Sequence, residues 1–273
     1  MATILDGRKT AAEMAEELKA RAAKLSKKFR LSIINVGNNY ASGVYVRMKC
    51  KKCEEIGLTP ELIHLPENAT TDEVYKKIVE LNADDNVCGI MLQHPSPRHI
   101  DEDLLFDAIC AEKDVDGLGK ESLAKIAIGK TLYAPATARG IITLLKRYGI
   151  QIAGRHAVVI GRSRIVGKPL ALLLLNENAT VTICHSRTEN LAEIIGSADI
   201  VCAALGKAEF IKTSWLKKGA VVIDAGYNEG DVGDIEVEGL AETSSAFTPV
   251  PGGVGPMTII SLLEQCIASA EGR

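Results

Sequence analysis

The chain has 273 residues, enough for one large or two modest α/β domains. Its 47% hydrophobic and 25% charged residues are ordinary for a globular protein, and a net charge of −3 gives no reason to expect nucleic acid as a partner. No apolar run approaches the roughly 20 residues of a membrane span, the start is too short and polar for a signal peptide, and the scattered cysteines read as reduced thiols, so a cytoplasmic protein without membrane or metal partners is expected.

Apolar residues at helical spacing predict a helix over 8–29. Residues 31–36 read as a short strand stopping at Gly37. The next helix, 41–56, is closed by Gly57. A strand over 61–65 follows, and the cluster Thr70, Thr71, Asp72 caps a helix running to about residue 81. Residues 87–92 read as a third strand, followed by turn-forming Pro95 and Pro97 and a short helix over 101–108. This alternation implies parallel strands with helices on both faces. Residues 113–119 and 129–135 have an irregular pattern, and a helix covers 137–147.

A second alternation comprises strand 156–160, helix 166–176, strand 180–184, helix 191–195 and strands 200–204 and 220–224. That order is a compact nucleotide-binding half-fold. One more amphipathic helix covers 257–270. The reading is an α/β protein of two domains with a cleft between them. A front domain over 1–137 has the last helix, 257–273, packing back on it, and a Rossmann-type parallel-sheet domain covers 138–256.

The stretch Ala157-Val158-Val159-Ile160-Gly161-Arg162-Ser163-Arg164-Ile165-Val166-Gly167-Lys168-Pro169 is a strand, a tight turn and the start of a helix. Such a turn aims backbone N–H groups and a helix N-terminus at one spot, which suits a phosphate. Pro169 fits the first helical turn. The spacing from Gly161 to Gly167 matches neither the dinucleotide fingerprint nor a P-loop, so it fits both a nucleotide site and a plain strand–helix turn. The next strand ends at Cys184-His185-Ser186-Arg187-Thr188, without the acid that commonly holds the ribose hydroxyls of NAD. Ser186 and Arg187, with Arg162, suit a 2′-phosphate, which favours NADP. Gly161, Arg162, Ser163, Val166, Gly167, Pro169, His185, Ser186, Arg187, Ala203 and Gly206 are the candidate cofactor residues. Ala203, Gly206 and residues 252–255 would let backbone approach a ligand closely.

Tyr45 and Lys49 lie four apart and share one face of a helix. They read as amphipathic filler, as a lysine stem lying on a ring, or as the tyrosine–lysine pair of short-chain dehydrogenases. The last reading fails on order, because here the pair lies far upstream of the nucleotide turn. Cys50 and Cys53 form a C-x-x-C pair with no second pair at zinc spacing, and read as structural.

Six segments stand in order along the chain: Ile4-Leu5-Asp6-Gly7, Ser42-Gly43-Val44-Tyr45-Val46-Arg47-Met48-Lys49, Gly89-Ile90-Met91-Leu92-Gln93-His94-Pro95, Lys113-Asp114-Val115-Asp116-Gly117, the Gly161 turn, and Thr248-Pro249-Val250-Pro251-Gly252-Gly253-Val254-Gly255-Pro256-Met257-Thr258. Together they resemble the methylenetetrahydrofolate dehydrogenase/cyclohydrolase family. The resemblance spans nearly the whole chain. It implies oxidation of 5,10-methylenetetrahydrofolate to the methenyl form with a nicotinamide, then hydrolysis to 10-formyltetrahydrofolate. It also implies a homodimer.

By that resemblance Lys49, Gln93 and Tyr45 are the catalytic candidates, and Asp116, Pro249, Gly252 and Gly253 join them around the folate. Hydrolysis of a cation needs proton shuttling, and a lysine serves only if burial or a neighbouring cation lowers its pKa. Gln93 can hold the amine without adding charge. Tyr45 offers a flat ring, and Asp116 can accept paired hydrogen bonds from the pterin edge. Asp114 and Asp116 also fit a turn rich in side-chain-to-backbone bonds.

Two positions depart from the family pattern. Pro135-Ala136-Thr137-Ala138-Arg139-Gly140 stands where many members have Pro-Cys-Thr-Pro-x-Gly, a difference of packing. His94 stands where leucine is usual, and either perturbs Lys49 or fills the same volume. The alternatives are a monofunctional dehydrogenase with weak or no hydrolysis, and a non-catalytic folate- or nucleotide-binding regulator.

Overall fold

The computed structural model describes residues 2–37 and 40–272, with side chains for all of them except residues 40–45. In chain order the first elements are β1 (Thr3–Ile4), α1 (Gly7–Ala22), β2 (Arg30–Val36), α2 (Tyr40–Ile56), β3 (Thr59–Leu65), α3 (Thr71–Ala83) and β4 (Val87–Leu92). Then come α4 (Glu102–Ala108), α5 (Lys120–Ala127), α6 (Ala136–Arg147), β5 (His156–Ile160), α7 (Gly167–Asn176), β6 (Thr180–Cys184), α8 (Leu191–Gly196) and β7 (Ile200–Ala203). A 3-10 turn at Thr213–Trp215, β8 (Val221–Asp224), α9 (Leu240–Thr243), β9 (Ala246–Phe247) and α10 (Val254–Glu271) complete the order.

The chain forms two compact units, one of Met1–Ala12 with Pro135–Thr258, the other of Glu13–Ala134 with Ile259–Arg273. The first twelve residues thus pack with the nucleotide-type unit, whereas the sequence reading places them in the front domain over 1–137. The reason is local. β1 adds a parallel strand beside β9, with Thr3 opposite Ala246. Leu5 N donates to Phe247 O at 2.8 Å and Asp6 N to the Tyr148 hydroxyl at 2.9 Å. Gly7 is held so closely that a Cβ there would lie 1.7 Å from Gly253 O.

In this unit six parallel strands run in the order β1-β9-β8-β7-β5-β6. β7 and β8 are buried along their length and β5 from Ala157 onward, as a sheet covered on both faces requires. Ile160 pairs with Ala203 and Ala203 with Asp224, so the carboxyl ends of β5, β7 and β8 lie level. Val158, Ile160, Val201 and Val222 pack with Ile195, Leu216 and Leu240 to form the core on one face.

The other unit is built on a parallel sheet of order β3-β2-β4. β3 alternates toward exposure, whereas all six residues of β4 are buried. Ile90 N donates to Lys113 O at 2.9 Å, which covers the outer edge of β4. At Gly89 a Cβ would stand 2.5 Å from a Val115 methyl and 3.3 Å from Cys266 Sγ, so glycine lets Val115 lie against β4 with α10 close by. α3 begins at a capping box, with Thr70 and Glu73 bonding reciprocally.

Periodicity did not signal β1, α5, α9, β9 or the 3-10 turn. α1 stops at Ala22 rather than 29, because the chain turns after it and the buried Phe29 already leads into β2, its carbonyl accepting from Thr59 N at 3.0 Å. All seven cysteines are free thiols, and among the described residues no helix is long and apolar enough to cross a membrane.

Candidate functional site

Three predicted residues meet in the unit built on β2, β3 and β4. Lys49, on α2, is 6% exposed, a rare state for a lysine. Its Nζ donates to Gln93 Oε1 at 3.2 Å and lies 3.5 Å from Met91 Sδ. Met91 and Gln93 stand at the carboxyl end of β4, where Gln93 N extends the ladder to Ile34 O at 2.8 Å. Gln93 Nε2 donates to His94 O at 2.7 Å. That bond fixes the amide orientation and leaves the oxygen for Lys49. Burial holds Lys49 below the ordinary lysine range, against the opposing pull of Asp116 and Cys50. Burial raises Asp116, while Lys49 and His94 pull it down.

Asp116 sits in the Lys113-Asp114-Val115-Asp116-Gly117 loop, whose other members hold it in place. Lys113 Nζ donates to the carbonyls of Leu81, Asn82 and Asp84 at 2.7–2.8 Å, closing the end of α3. Asp114 accepts from Leu118 N, Gly119 N and Ser122 Oγ at 3.2, 2.9 and 2.6 Å. Burial pushes Asp114 up to about 7. The turn reading thus describes Asp114, and Asp116 alone of the two faces the lysine's field. Gln265 of α10 donates to Val115 O at 2.7 Å and Ala134 O at 3.0 Å and accepts from Ala134 N at 2.9 Å. Ser269 Oγ donates to Glu112 O at 2.9 Å.

His94 turns to Glu102 of α4, with Nδ1 and Oε2 2.7 Å apart and the side chain 40% exposed. Glu102 also accepts from Ser96 N at 2.5 Å. The imidazole is therefore anchored to the first turn of α4, and its influence reaches the cluster through Asp116. The side chain of Tyr45 lies outside the described residues.

The cofactor candidates lie in the other unit. Gly161 has φ +129° and a Cβ there would stand 2.3 Å from Ala204 O; one at Gly167 would stand 2.1 Å from Gly161 O. Only glycines allow this turn, and its cradle suits a close-lying diphosphate. Ser163 Oγ accepts from Val166 N at 3.1 Å and Gly167 N at 3.3 Å, so its hydroxyl shapes the turn itself. Pro169 is buried in the first turn of α7. After β6, His185 Nδ1 accepts from Arg187 N at 3.2 Å, forming a turn that leaves Ser186 and Arg187 exposed, as is Arg162. These donors, with no acid among them, fit a phosphorylated ribose. Ala203 is buried at the end of β7, and Gly206 follows with φ +65° and open space where a side chain would be.

Pro249, Gly252 and Gly253 also belong to this unit. Gly252, at φ +116°, accepts from Arg8 N at 3.0 Å, and Gly253 N donates to Pro249 O at 2.8 Å. α6 starts after Pro135 with Ala136 and Ala138 both buried, and Gly140 admits Met257 O within 2.9 Å of a notional Cβ. Alanines where the family pattern has cysteine and proline thus fill a small-residue contact. Sequence reasoning missed Asp224 and Asp234, two buried carboxylates behind the cofactor loops. Asp224 ends β8 and burial pushes it up to about 6. Neither belongs to a spaced motif that periodicity singles out.

Residues 5–116 match the family model described as tetrahydrofolate dehydrogenase/cyclohydrolase, catalytic domain, and residues 135–273 match that family's NAD(P)-binding domain. A protein named bifunctional protein FolD from Cellvibrio japonicus is 53% identical over 276 residues, covering 100% of this chain and 99% of its own. The crystal structure of the bifunctional FolD enzyme from Campylobacter jejuni superposes with TM-score 0.98 at 41% identity, covering 100% of both chains. A Trypanosoma brucei relative, solved with NADP cofactor and an inhibitor, gives TM-score 0.95 at 33% identity over 99% of this chain and 98% of that one. With both family domains matched over most of its length, the chain belongs to the tetrahydrofolate dehydrogenase/cyclohydrolase family.

Proposed function

We propose a division of labour for the two activities of a bifunctional, NADP-dependent methylenetetrahydrofolate dehydrogenase and methenyltetrahydrofolate cyclohydrolase. The chain oxidises 5,10-methylenetetrahydrofolate to the 5,10-methenyl cation and hydrolyses that cation to 10-formyltetrahydrofolate. Folate is held by the unit carrying Lys49, Gln93 and Asp116. The nucleotide is held by the turn of Gly161, Arg162, Ser163, Val166, Gly167 and Pro169, by His185, Ser186 and Arg187, and by Ala203 and Gly206. NADP, when bound, accepts the hydride.

Hydride loss leaves a delocalised cation and moves no proton, so the first step asks for positioning. In the second, water adds to the one-carbon atom, the water loses a proton, and the bond to one folate nitrogen breaks as that nitrogen gains one. Lys49, in its neutral form, takes the proton from water and returns it to the nitrogen. Gln93 Oε1 holds the amine in place, Asp116 accepts from the amino edge of the pterin, and Tyr45 lays its ring along the folate. Pro249, Gly252 and Gly253 border the substrate. The protein works as a homodimer, a reading carried by the family resemblance and tested by sedimentation, and in the cytoplasm, a reading carried by its scattered cysteines and tested by cell fractionation.

The observation carrying this reading is a lysine amine buried against an amide oxygen, with its pKa lowered by that burial. Lys49→Met tests it. Given methenyltetrahydrofolate without nicotinamide, the variant is expected to lose hydrolysis in one absorbance trace, while the fold persists by circular dichroism. Hydrolysis at the parent rate would remove Lys49 from the role. A parent protein that reduces NADP but leaves the methenyl compound intact would establish the monofunctional alternative, in which His94 has silenced the second step.

A further inference from the structure

Behind the cofactor loops, two buried aspartates hold backbone that no regular element holds. Asp234 is fully buried. Its Oδ2 accepts from Leu205 N at 2.6 Å and Gly206 N at 3.0 Å, and its Oδ1 from Lys207 N at 2.8 Å and Asn228 Nδ2 at 3.1 Å. Asp224 in turn holds Asp234. Asp224 Oδ1 accepts from Asp234 N at 3.0 Å and Gly226 N at 2.8 Å, and Oδ2 from Ile235 N at 2.9 Å. The Asp224 amide itself donates to Thr248 Oγ1 at 2.8 Å. The fit leaves no room for side chains, since a Cβ on Gly226 would lie 2.2 Å from Asp234 Cγ and one on Gly233 2.1 Å from Asp224 Oδ2.

The loop so gripped follows β7, whose end lies level with that of β5, and Ala204 N donates to Ile160 O at 2.8 Å. Ala204 O is also the atom that a Cβ on Gly161 would strike. The Leu205–Lys207 segment therefore stands beside the nucleotide turn, held by three consecutive N–H groups on one carboxylate. Yet at Gly206 nothing lies within 4 Å of where a side chain would begin. A buried carboxylate is a costly way to close a turn, and it is tolerated when each oxygen is fully hydrogen-bonded. What this arrangement secures is a rigid loop with one open backbone position.

We propose that Asp234 is a positioning residue for the dinucleotide, holding the Leu205–Lys207 loop so that the open backbone at Gly206 borders NADP, with Asp224 holding Asp234. This rests on the NADP reading above and adds to it a residue that touches neither cofactor nor folate.

Asp234→Asn keeps the volume but turns amide hydrogens toward backbone N–H groups. It is expected to weaken NADP binding by calorimetry about tenfold or more, the effect of losing a charge-assisted hydrogen bond. Hydrogen exchange of the Leu205–Lys207 amides should speed up in the same variant, while methenyltetrahydrofolate hydrolysis without nicotinamide stays within about twofold of the parent. NADP affinity within about twofold of the parent in a folded variant overturns the proposal, as does an equal loss of binding and hydrolysis. Should Asp234→Asn not fold, Asn228→Ala decides. Asn228 Nδ2 donates to the Asp234 carboxylate at 3.1 Å and to Val232 O at 3.2 Å, so NADP binding weakened about threefold or more with hydrolysis retained supports the proposal, and unchanged binding overturns it. A parent chain that binds no NADP would overturn the cofactor reading itself, and this inference with it.

Discussion

At the scale of the residue, the site turns on one amine. The folded-state pKa of Lys49 lies below that of an exposed lysine, with burial as the leading cause. Two consequences follow in opposite assays. In the role proposed for Lys49 it is the neutral amine that acts, so the rate of hydrolysis should rise with pH through a pKa lower than the roughly 10.4 of a free lysine. Stability obeys the same shift. Between the lowered pKa and about 10.4 the unfolded chain carries a proton the folded chain lacks, so stability rises as pH rises through that window. Urea unfolding across that range should show the slope in the parent and lose it in Lys49→Met. That Lys49, Gln93 and Asp116 come together could be expected from the sequence because each sits in a segment with its own family pattern. The placing of Asp224 and Asp234 could not, because their partners are backbone N–H groups, which every residue but proline has and no spacing reveals.

At the scale of the element, the turn between β5 and α7 shows what glycine placement does. The apolar run into Gly161 and the helix after Gly167 were both plain in the sequence, yet the odd spacing left a nucleotide site and an ordinary turn equally open. The structure adds the steric reason. Gly167 lies against the backbone of Gly161, and Gly161 against that of Ala204, so both positions of the turn need glycine although its spacing is not that of the usual fingerprint. Gly167→Ala would force a methyl to within 2.1 Å of Gly161 O. It is expected to cost about 1–3 kcal/mol in urea unfolding, the usual price of overpacking, and to abolish NADP binding by titration. Short elements such as β1, β9 and α9 carry two to four residues each. Such runs are too brief for periodicity to register, and pairing with distant strands creates them.

At the scale of the whole molecule, chain order and unit membership disagree. Residues 1–12 complete the unit that is otherwise built from 135–258, and residues 259–273 complete the one built from 13–134. Composition and alternation indicate two α/β units, but where each closes depends on contacts between distant segments. Gln265 shows the dependence, since one side chain of the last helix bonds Val115 O and both backbone groups of Ala134. A chain ending at residue 258 loses that side chain and bares β4 at Gly89. It is expected to show no cooperative melt for the Lys49 unit by circular dichroism, where the full chain does. On the ribosome the same feature becomes a matter of timing. The front unit is translated early but stays unfinished until the final helix emerges, a delay of roughly 7–30 s at ordinary elongation rates. During that interval the sheet β3-β2-β4 has all its strands, but the face of β4 at Gly89 waits for α10, and such transiently bared apolar surface is what chaperones bind.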